Sequence, residues 1–527
     1  MSAPSDTGST QLGAGVNSVV IVGGGTSGWM CAAAIARMAP PDTSITLVES
    51  EEVGVIGVGE ATIPPLIEFN EFLGLDENDF LRECQGTFKL GIEFVDWFKL
   101  GDRYFHPFGF YGRDTPEFAF HQLWLRLKAL SDEGEAPADL PGEISQYNLC
   151  AVAARLGRFS PPQGGGDAIL STMRHAYHFD AMRYGRMLRR YAEQRGVRRV
   201  EGLVERVEQH PDHGTIQSVT LRCGEVLAGD LFIDCSGFRS LLIEGAMGSD
   251  FVDWSHYLPC DRAIALPTTG SGAPDPFTRA TADRAGWRWR IPLQARTGNG
   301  YVYSSAFVDE GEVHRRLVEG AEGEALADPR PLRFRTGHRR AFWKKNCVAI
   351  GLAGGFIEPL ESTSIHLTQM GIQRLINLWP GRGCNPAEIA HYNRVMTSDY
   401  ERVRDFIVLH YSATERDDTA FWRYVGNMEI PDTLAEKLEI FRGSGRVIPS
   451  PEDLFTPHSW LAVMLGQGVG PRTYDALVDR VPESTLIHNM GLLREAVGKT
   501  AAALPAHQDY IRRYCASDNG LRESSGG

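Results

Sequence analysis

The sequence predicts an α/β fold, and three stretches of the chain predict it. An apolar run at residues 18–22 leads into a G-x-G-x-x-G turn at residues 23–28 and then into small residues typical of a helix. A second apolar run at residues 44–49 ends in an acid, and a third at residues 231–234 is stopped by Asp and Gly. Strands that alternate with helices in this way favour a parallel sheet, with the glycine turn at the carboxyl ends of its strands.

The glycine turn has the spacing of a dinucleotide-binding loop. Gly23 allows the tight turn after the strand, Gly25 lets backbone N–H groups approach a pyrophosphate, and Gly28 lets the helix and the strand pack closely. Glu49 follows the turn by about 20 residues, where an acid holds a ribose hydroxyl. A glycine turn in an unrelated α/β domain is the less favoured alternative, since a strand precedes this turn and a helix follows it. The predicted cofactor contacts here are Gly23, Gly25, Thr26, Ser27, Gly28 and Glu49.

Length and composition describe a globular protein of roughly two or three ordinary domains. The chain has 527 residues, of which 43% are hydrophobic and 23% charged. Its net charge of −14 disfavours nucleic acid or an anionic membrane as a partner. The nine cysteines form no C-x-x-C pair, so we expect neither a disulfide framework nor a zinc site, and a reducing cytoplasm fits best. No signal peptide or membrane-spanning segment is predicted.

The chain divides into two interleaved modules. The expected dinucleotide-binding module comprises residues 15–100, 170–245 and 340–385, and the expected substrate-binding module, mostly helical, comprises residues 101–169, 246–339 and 386–515, with disordered ends at 1–14 and 516–527. The glycine-rich stretch 53–65 is interpreted as a second loop on the cofactor, ending where a Pro-Pro pair starts a helix. The aromatic, loop-rich stretch 103–163 is interpreted as an insertion that builds a substrate face, capped by the helical residues after 392.

Apolar residues alternate with others over residues 88–94, which predicts a strand with Lys89 on its less apolar face. A lysine in such a place is more often solvated surface than a catalyst, because a working lysine needs a pocket. Trp287 and Trp289, in a run ending at Pro292, stand two residues apart, so on a strand both indoles share one face. Core packing explains such a pair more often than function does, although one edge of a large indole ring usually lines a cavity or the surface.

Residues 346–366 predict a strand, a glycine turn and a helix start rich in hydroxyl groups. The backbone N–H groups of Thr363 and Ser364 at this helix start form a seat for an anion, and a phosphate or a halide suits it equally well. Glu361 stands beside that seat and could act as a base or orient a substrate. It is equally well explained as an ordinary carboxylate at a helix end, where Glu361 would accept hydrogen bonds from nearby amides.

Together these motifs resemble the flavin-dependent tryptophan halogenases, with a match that runs from about Val19 to Pro471. The resemblance rests on the glycine turn, on Trp287-x-Trp-x-Ile-Pro292, on Thr87-Phe-Lys89 and on Pro359-Leu-Glu-Ser-Thr363. Many flavin monooxygenases share the glycine turn, but they lack the tryptophan motif and the lysine. The fold implied is that of a flavoprotein with two dinucleotide-binding domains around FAD and a mostly helical substrate-binding module.

In that family a separate flavin reductase supplies reduced FAD, which with O₂ converts a halide to hypohalous acid. The resemblance implies the same chemistry here, with chloride or bromide as the halide, a small aromatic substrate and a homodimer. Lys89 would hold or activate the hypohalous acid, and Glu361 would place it or take the proton of the aromatic ring. The other implied roles are FAD contact for Val204, Leu352 and Ile365, halide binding for Thr363 and Ser364, ring binding for His106, Phe108 and Trp460, and a barrier between flavin and substrate for Trp287, Trp289, Ile291 and Pro292.

The resemblance is weakest in the substrate lid. Members that use tryptophan carry an aromatic-rich lid with paired tyrosines, whereas residues 441–460 are short, broken by Pro and Gly, and lack a Tyr pair. We therefore expect an indole or another electron-rich arene to be halogenated rather than free tryptophan. Two alternatives stay open: a flavin monooxygenase that hydroxylates an aromatic substrate, and a catalytically silent flavin-binding protein or an oxidase that releases peroxide.

Overall fold

The computed structural model describes residues 15–53, 59–164, 168–381 and 383–517. The predicted disordered ends lie almost entirely outside these residues, as does the middle of the predicted second cofactor loop. Among the described residues, no helix has the length and apolar character needed to cross a membrane. Within the same residues, no group of three His, Cys, Asp or Glu side chains could hold a metal ion.

The strands follow the chain in one numbered series. They are β1 (Ser18–Val22), β2 (Ser44–Glu49), β3 (Gly59–Ala61), β4 (Thr87–Lys89), β5 (Gly91–Val95), β6 (Arg103–Pro107), β7 (Ala176–Asp180), β8 (Arg198–Glu201), β9 (Val204–Gln209), β10 (Ile216–Leu221), β11 (Val226–Ala228), β12 (Leu231–Asp234), β13 (Phe251–Asp253), β14 (Arg262–Thr269), β15 (Thr278–Asp283), β16 (Gly286–Pro292), β17 (Arg296–Tyr303), β18 (Arg330–Arg333), β19 (Gly337–Arg339), β20 (Trp343–Lys344), β21 (Cys347–Ala349) and β22 (Gly355–Phe356).

The helices are numbered in the same way. They are α1 (Thr26–Met38), α2 (Pro65–Leu73), α3 (Glu77–Glu83), α4 (Phe120–Asp132), α5 (Leu149–Arg155), α6 (Ala181–Glu193), α7 (Glu310–Gly320), α8 (Ser364–Asn377), α9 (Pro386–Ser412), α10 (Ala420–Asn427), α11 (Asp432–Ser444), α12 (Pro457–Gly466), α13 (Glu483–Ala503) and α14 (His507–Tyr514).

A six-stranded sheet carries the glycine turn. Its order is β20-β21-β12-β1-β2-β8, and all neighbours are parallel except β20, which pairs antiparallel at one edge. β1 ends at Val22, and the glycine turn carries the chain into α1. Because β1 lies inside the sheet, this turn opens at the carboxyl ends of three adjacent strands, β12, β1 and β2. The α/β fold and these three predicted strands are confirmed.

A second, seven-stranded sheet has the order β18-β14-β17-β16-β15-β5-β6 and is antiparallel except between β15 and β5. The segment 246–339 therefore contributes strands, whereas the helices of the predicted substrate-binding module are concentrated after residue 386. The stretch 103–163 is less loop-rich than predicted, because it forms β6, α4 and α5. Most residues of α4 are buried, polar as well as apolar, so the helix presents no clean apolar face that the sequence pattern could reveal.

The predicted strand over residues 88–94 is wrong, because two strands occupy this stretch. β4 pairs with β7 in a small three-stranded sheet, whereas β5 pairs with β6 and β15. Both faces of β4 are covered, so Lys89 is fully buried rather than placed on a less apolar, solvated face. Alternation in a sequence shows that a strand has two faces, but it does not show what covers the second one.

Helix α14 is hydrogen-bonded to strand β4. The backbone N–H of Phe88 donates to Nε2 of His507 at 3.1 Å, and Nδ1 of His507 lies 2.8 Å from the carbonyl oxygen of Pro274. The Phe88 ring also stacks on Phe159, with 3.9 Å between ring centroids. Helix α14 thus supports the residue that precedes Lys89.

Candidate active site

A cavity of about 630 Å³ opens where the glycine turn leaves the six-stranded sheet. This volume lies within the range of small-molecule and cofactor pockets. Of the residues predicted to contact a cofactor, those that line the cavity are Gly23, Gly25, Thr26, Ser27, Glu49, Val204, Leu352 and Ile365. The structure thus brings together residues that are more than 300 positions apart in the sequence.

The glycines of the turn are required by close backbone packing. Gly23 has a φ of 116°, and a Cβ there would lie 2.1 Å from the carbonyl oxygen of Cys235. A Cβ on Gly28 would lie 1.9 Å from the carbonyl oxygen of Gly23. Gly28 does not line the cavity, but it holds the turn in the shape that leaves backbone N–H groups facing it.

Glu49 lies at the cavity and is already held in place. Its Oε2 accepts a hydrogen bond from the Trp29 indole at 3.2 Å, and its Oε1 accepts one from Arg199. A carboxylate oxygen accepts more than one hydrogen bond, so Glu49 keeps capacity for a ribose hydroxyl. Gly59, Glu60 and Ala61, the described end of the predicted second loop, also line the cavity. The residues present fit a bound flavin dinucleotide.

The two tryptophans of β16 form one wall of the cavity. Trp287 and Trp289 both line it, with 6.2 Å between their ring centroids, and so does Ile291. Pro292 does not line it, but its carbonyl oxygen accepts a hydrogen bond from the hydroxyl of Thr87 at 2.7 Å. The strand that carries the tryptophans is thereby tied to the strand that carries Lys89.

Lys89 lies behind the cavity, not in its lining. Its Nζ donates to the carbonyl oxygen of Thr62 at 2.9 Å and to Oγ of Ser362 at 2.8 Å. Ser362 itself lines the cavity, so one side chain separates the ammonium group from it. Burial lowers the pKa of Lys89 to about 7, against the attraction of the Glu361 charge. Near neutral pH, Lys89 is therefore poised between its charged and uncharged forms.

Glu361 is a buried carboxylate held between two histidines. Nδ1 of His106 lies 3.0 and 2.9 Å from its two oxygens, and Nε2 of His410 lies 2.9 Å from Oε1. Burial alone would raise the pKa of Glu361, but the neighbouring His106 and then His410 lower it to about 2. The side chain is thus kept ionised at neutral pH, as a base requires.

His410 was not found in the sequence, because it lies on α9, 49 positions after Glu361, in an ordinary helical pattern. The hydroxyl of Tyr104 lies 2.8 Å from Nδ1 of His410 and accepts a hydrogen bond from Nε2 of Gln467. If Tyr104 donates to Nδ1, a neutral His410 carries its proton on Nε2, on the side of Glu361. Among the described residues, Nε2 of His410 forms no hydrogen bond of normal geometry, so its 2.9 Å contact with Glu361 is a close electrostatic contact.

The residues predicted to bind an aromatic ring cluster around the same centre. The Phe108 ring centroid lies 5.4 Å from Nζ of Lys89. His106 and Trp460 each pack edge-on against Phe406, at 5.7 and 4.9 Å between ring centroids. Among the described residues, no hydrogen-bond partner meets Nε2 of His106 or Nε1 of Trp460. Each ring therefore keeps one polar atom available to a bound molecule.

The predicted anion seat lies between the cavity and this cluster. Thr363 is the N-cap of α8 and Ser364 its first residue, and Ser364 lines the cavity. Oγ1 of Thr363 is buried and has no hydrogen-bond partner within the described part of the chain. An unpaired buried hydroxyl at a helix N-terminus can donate to a small anion, alongside the unpaired N–H groups of the helix start.

The chain is similar to known proteins over most of its length. The model of the tryptophan halogenase family matches residues 18–483. The chain is 36% identical over 518 residues to the tryptophan 6-halogenase SttH of Streptomyces toxytricini, covering 94% of this chain and 97% of that protein. Among solved structures, it is similar to Xcc4156, a flavin-dependent halogenase from Xanthomonas campestris, with 45% identity, a TM-score of 0.91 and coverage of 95% of this chain and 99% of that one. BrvH, a flavin-dependent halogenase from Brevundimonas sp. BAL3, has 41% identity, a TM-score of 0.89 and the same coverage.

Proposed function

Because the chain belongs to the tryptophan halogenase family, we propose that it halogenates an indole or another electron-rich aromatic ring with a halide, O₂ and reduced FAD. A separate flavin reductase supplies the reduced FAD. The observation that carries the proposal is the placement of Lys89 and Glu361, two buried groups of opposite charge that lie behind a tryptophan wall next to a cofactor-sized cavity.

The cavity is proposed to hold FAD, with Glu49 on the ribose and the N–H groups after Gly23 on the pyrophosphate. Val204, Leu352 and Ile365 complete the contact surface. When bound, reduced FAD would give two electrons to O₂, and the resulting peroxide-level oxygen would oxidise the halide to hypohalous acid. Thr363 and Ser364 would hold the halide at the helix start, on the side of the cavity where Ser362 meets Lys89.

The tryptophan wall keeps organic molecules away from the flavin, so only the small oxidant passes to Lys89. There Nζ of Lys89 would hold the hypohalous acid, in the place where it now meets Thr62 and Ser362. A hydrogen bond from Nζ to the oxygen of the hypohalous acid polarises the oxygen–halogen bond and makes the halogen more electrophilic. A water-excluded pocket strengthens that interaction.

The aromatic substrate would lie between His106, Phe108 and Trp460. A ring carbon attacks the halogen, the oxygen–halogen bond breaks, and hydroxide leaves with its electron pair. The ring carbon then carries both halogen and hydrogen, and Glu361 removes the proton to restore aromaticity. Two histidines keep Glu361 ionised for this step and fix its direction.

The substrate class follows from the segment before α12. SttH is named a tryptophan 6-halogenase, but residues 441–460 of this chain lack the paired tyrosines expected for a grip on the amino acid backbone. We propose an indole or a similar arene without an amino acid backbone as the substrate. Bromide or chloride serves as the halide. The homodimer and the boundaries of the two modules remain predictions.

A substrate screen tests the proposal. The protein would be incubated with a flavin reductase, NADH, FAD and equal chloride and bromide, with indole, tryptophan and other arenes as substrates, and products would be read by mass spectrometry. We expect halogenated indole with a halogen isotope pattern and little halogenated tryptophan. A product that gains one oxygen and no halogen would support a hydroxylating monooxygenase instead. Peroxide release unaffected by any substrate would support a flavin oxidase.

His410 should set the pH range of the reaction. Replacing His410 by Leu leaves Glu361 with one histidine, so its pKa should rise. A raised pKa leaves less of the ionised base at pH 6 than at pH 8, because burial favours the neutral form of a carboxyl group. We expect the ratio of halogenation rates at pH 8 and pH 6 to increase about tenfold over wild type.

His410→Gln, which can keep an N–H near Glu361, is the matched control and should move the profile less. Lys89 also has a pKa of about 7 in the wild type, so the comparison between variants, not the wild-type profile itself, is the measurement. An unchanged pH ratio in His410→Leu, in a protein with an unchanged melting temperature, would contradict this role.

A further inference from the structure

Glu358 is a buried acid to which the proposed function gives no role. Its side chain is fully buried, and the residue stands at the start of the turn Pro359–Glu361. Burying a carboxyl group without a cation costs free energy, and proteins keep such groups mainly where they act. Burial raises the pKa of Glu358 to about 7, and no charged neighbour contributes to this shift. The pKa values of Glu358 and Glu361, which lie on one short turn, are thus shifted in opposite directions, upward for Glu358 and downward for Glu361.

Three weakly acidic donors surround Glu358. The side chains of Tyr411, Cys260 and Trp287 lie near enough to lower its pKa by hydrogen bonding, against burial. None of them forms a hydrogen bond of normal geometry with either carboxyl oxygen among the described residues, and Nε1 of Trp287 has no other partner there. Sγ of Cys260 lies 3.7 Å from the hydroxyl of Tyr411.

Only Glu358 changes charge near neutral pH in this cluster. Burial holds the pKa of Cys260 and of Tyr411 well above their usual values, so both stay protonated donors. Asp261, next to Cys260, further raises the pKa of that thiol. When Glu358 is ionised, its carboxylate is the strongest acceptor available to the Trp287 indole, because hydrogen bonds to an ionised acceptor are roughly twice as strong as neutral ones.

Trp287 belongs to the wall and is fully buried, but within the described residues no hydrogen bond fixes its indole N–H. Its ring packs against Trp97 at 6.5 Å and Trp289 at 6.2 Å between centroids, both tilted contacts without directional hydrogen bonds. Pro359 and Leu360, which follow Glu358, line the cavity, and Glu361 follows them. One short turn therefore links Glu358, which lies near the Trp287 indole, to the proposed base Glu361.

We propose that Glu358 is a positioning residue that accepts the indole N–H of Trp287 and so fixes the wall between the flavin cavity and the Lys89–Glu361 site. The inference rests on the proposed function for the meaning of the wall, but the contact itself can be tested without any reaction. By holding Trp287 at one end of the turn, Glu358 also fixes the position of Glu361 at the other end.

The first test is nuclear magnetic resonance of the full chain with ¹⁵N-labelled tryptophan. The indole signal that disappears in Trp287→Phe identifies Trp287 among the ten tryptophans. We expect this signal to move with pH between 6 and 8 in the wild type and to stay fixed in Glu358→Gln. Lys89→Met and Glu60→Gln are the controls for two other groups near the wall whose pKa values lie at about 7, and both variants should keep the pH-dependent shift of this signal. A signal that does not titrate in the wild type, or still titrates in Glu358→Gln, would overturn the inference.

The second test is the coupling of the reaction, measured as halogenated product per reduced flavin consumed. Glu358→Leu removes the acceptor and should lower the coupling by at least about tenfold, since small misplacements of a site cost that much or more. Glu358→Gln keeps an acceptor oxygen and should retain most of it. If no arene is halogenated by the wild type, the proposed function fails, and the resonance test still decides the role of Glu358. Equal coupling in both variants would contradict the positioning role alone.

Discussion

Replacing Lys89 by Met should reduce the formation of halogenated product by at least about 100-fold, while reduced FAD continues to be oxidised. Lys89 lies behind the cavity, and its Nζ donates hydrogen bonds to the carbonyl oxygen of Thr62 and the hydroxyl of Ser362. Met fills a similar volume but offers no donor, so the oxidant would be formed and lost instead of being held. The measurement is product by mass spectrometry beside flavin oxidation by absorbance.

The stability of this variant must be measured as well. Without the ammonium group, the carbonyl of Thr62 and the hydroxyl of Ser362 each lose a partner, at about 1–3 kcal/mol for a buried polar group left unpaired. A melting curve separates this loss from the loss of chemistry. Lys89→Arg is the matched control that keeps a positive charge, and we expect it to be inactive too, because a planar guanidinium cannot occupy the same confined place. Persistent halogenation in Lys89→Met would refute the role of this lysine.

The pH profile distinguishes two ways in which Lys89 could act. If the ammonium form polarises hypohalous acid, halogenation should decline as the pH rises through about 7, where the proton is lost. If the neutral amine is itself halogenated first, the rate should decline as the pH falls through the same value. The titration of Glu361 does not affect this pH profile, because its pKa is lowered to about 2, far below the range assayed.

Replacing Glu361 by Gln should lower the turnover number by about 100-fold or more, the usual scale for loss of a general base. Gln keeps the shape of the side chain and one acceptor oxygen, but it carries no charge and cannot take the ring proton. Binding of the arene should change little, since His106, Phe108 and Trp460 stay in place. The measurement is kcat and KM for the arene, beside its dissociation constant by calorimetry.

Glu361→Asp serves as the control, because it keeps the charge but retracts it from the two histidines. We expect an activity between those of Glu361→Gln and the wild type. A variant Glu361→Gln with normal kcat and weakened arene binding would show that this residue orients the substrate and does not take the proton.

The sequence was most informative where local spacing decides the structure. The glycine turn and its flanking strands could be predicted because a sharp turn, a close backbone approach and a helix start all depend on adjacent residues. The tryptophan motif and the Pro359–Thr363 motif were visible for the same reason. Their meeting at one cavity depends on the order of strands in two sheets, which the resemblance to a family implied and the residues alone did not.

The burial of individual side chains was the main property that could not be predicted from the sequence. Lys89 reads as an ordinary polar position on a strand, and only the pairing of β4 with β7 and the packing above it show that the side chain is enclosed. His410 carries no local signal, because a histidine in a helix of 27 residues looks the same whether it faces solvent or a carboxylate. Glu358 carries no local signal either, because the sequence does not show that its carboxyl group is buried, within the described residues, without a charged neighbour that shifts its pKa.

Helix α14 has a practical consequence for engineering. Nε2 of His507 accepts a hydrogen bond from the backbone N–H of Phe88, the residue before Lys89, so helix α14 helps to hold the strand that carries Lys89. Truncations before α14, or chimeras that take their C-terminal segment from a relative, should disturb the reaction although they leave every lining residue untouched. Recombination libraries of this enzyme would therefore keep β4 and α14 from the same parent.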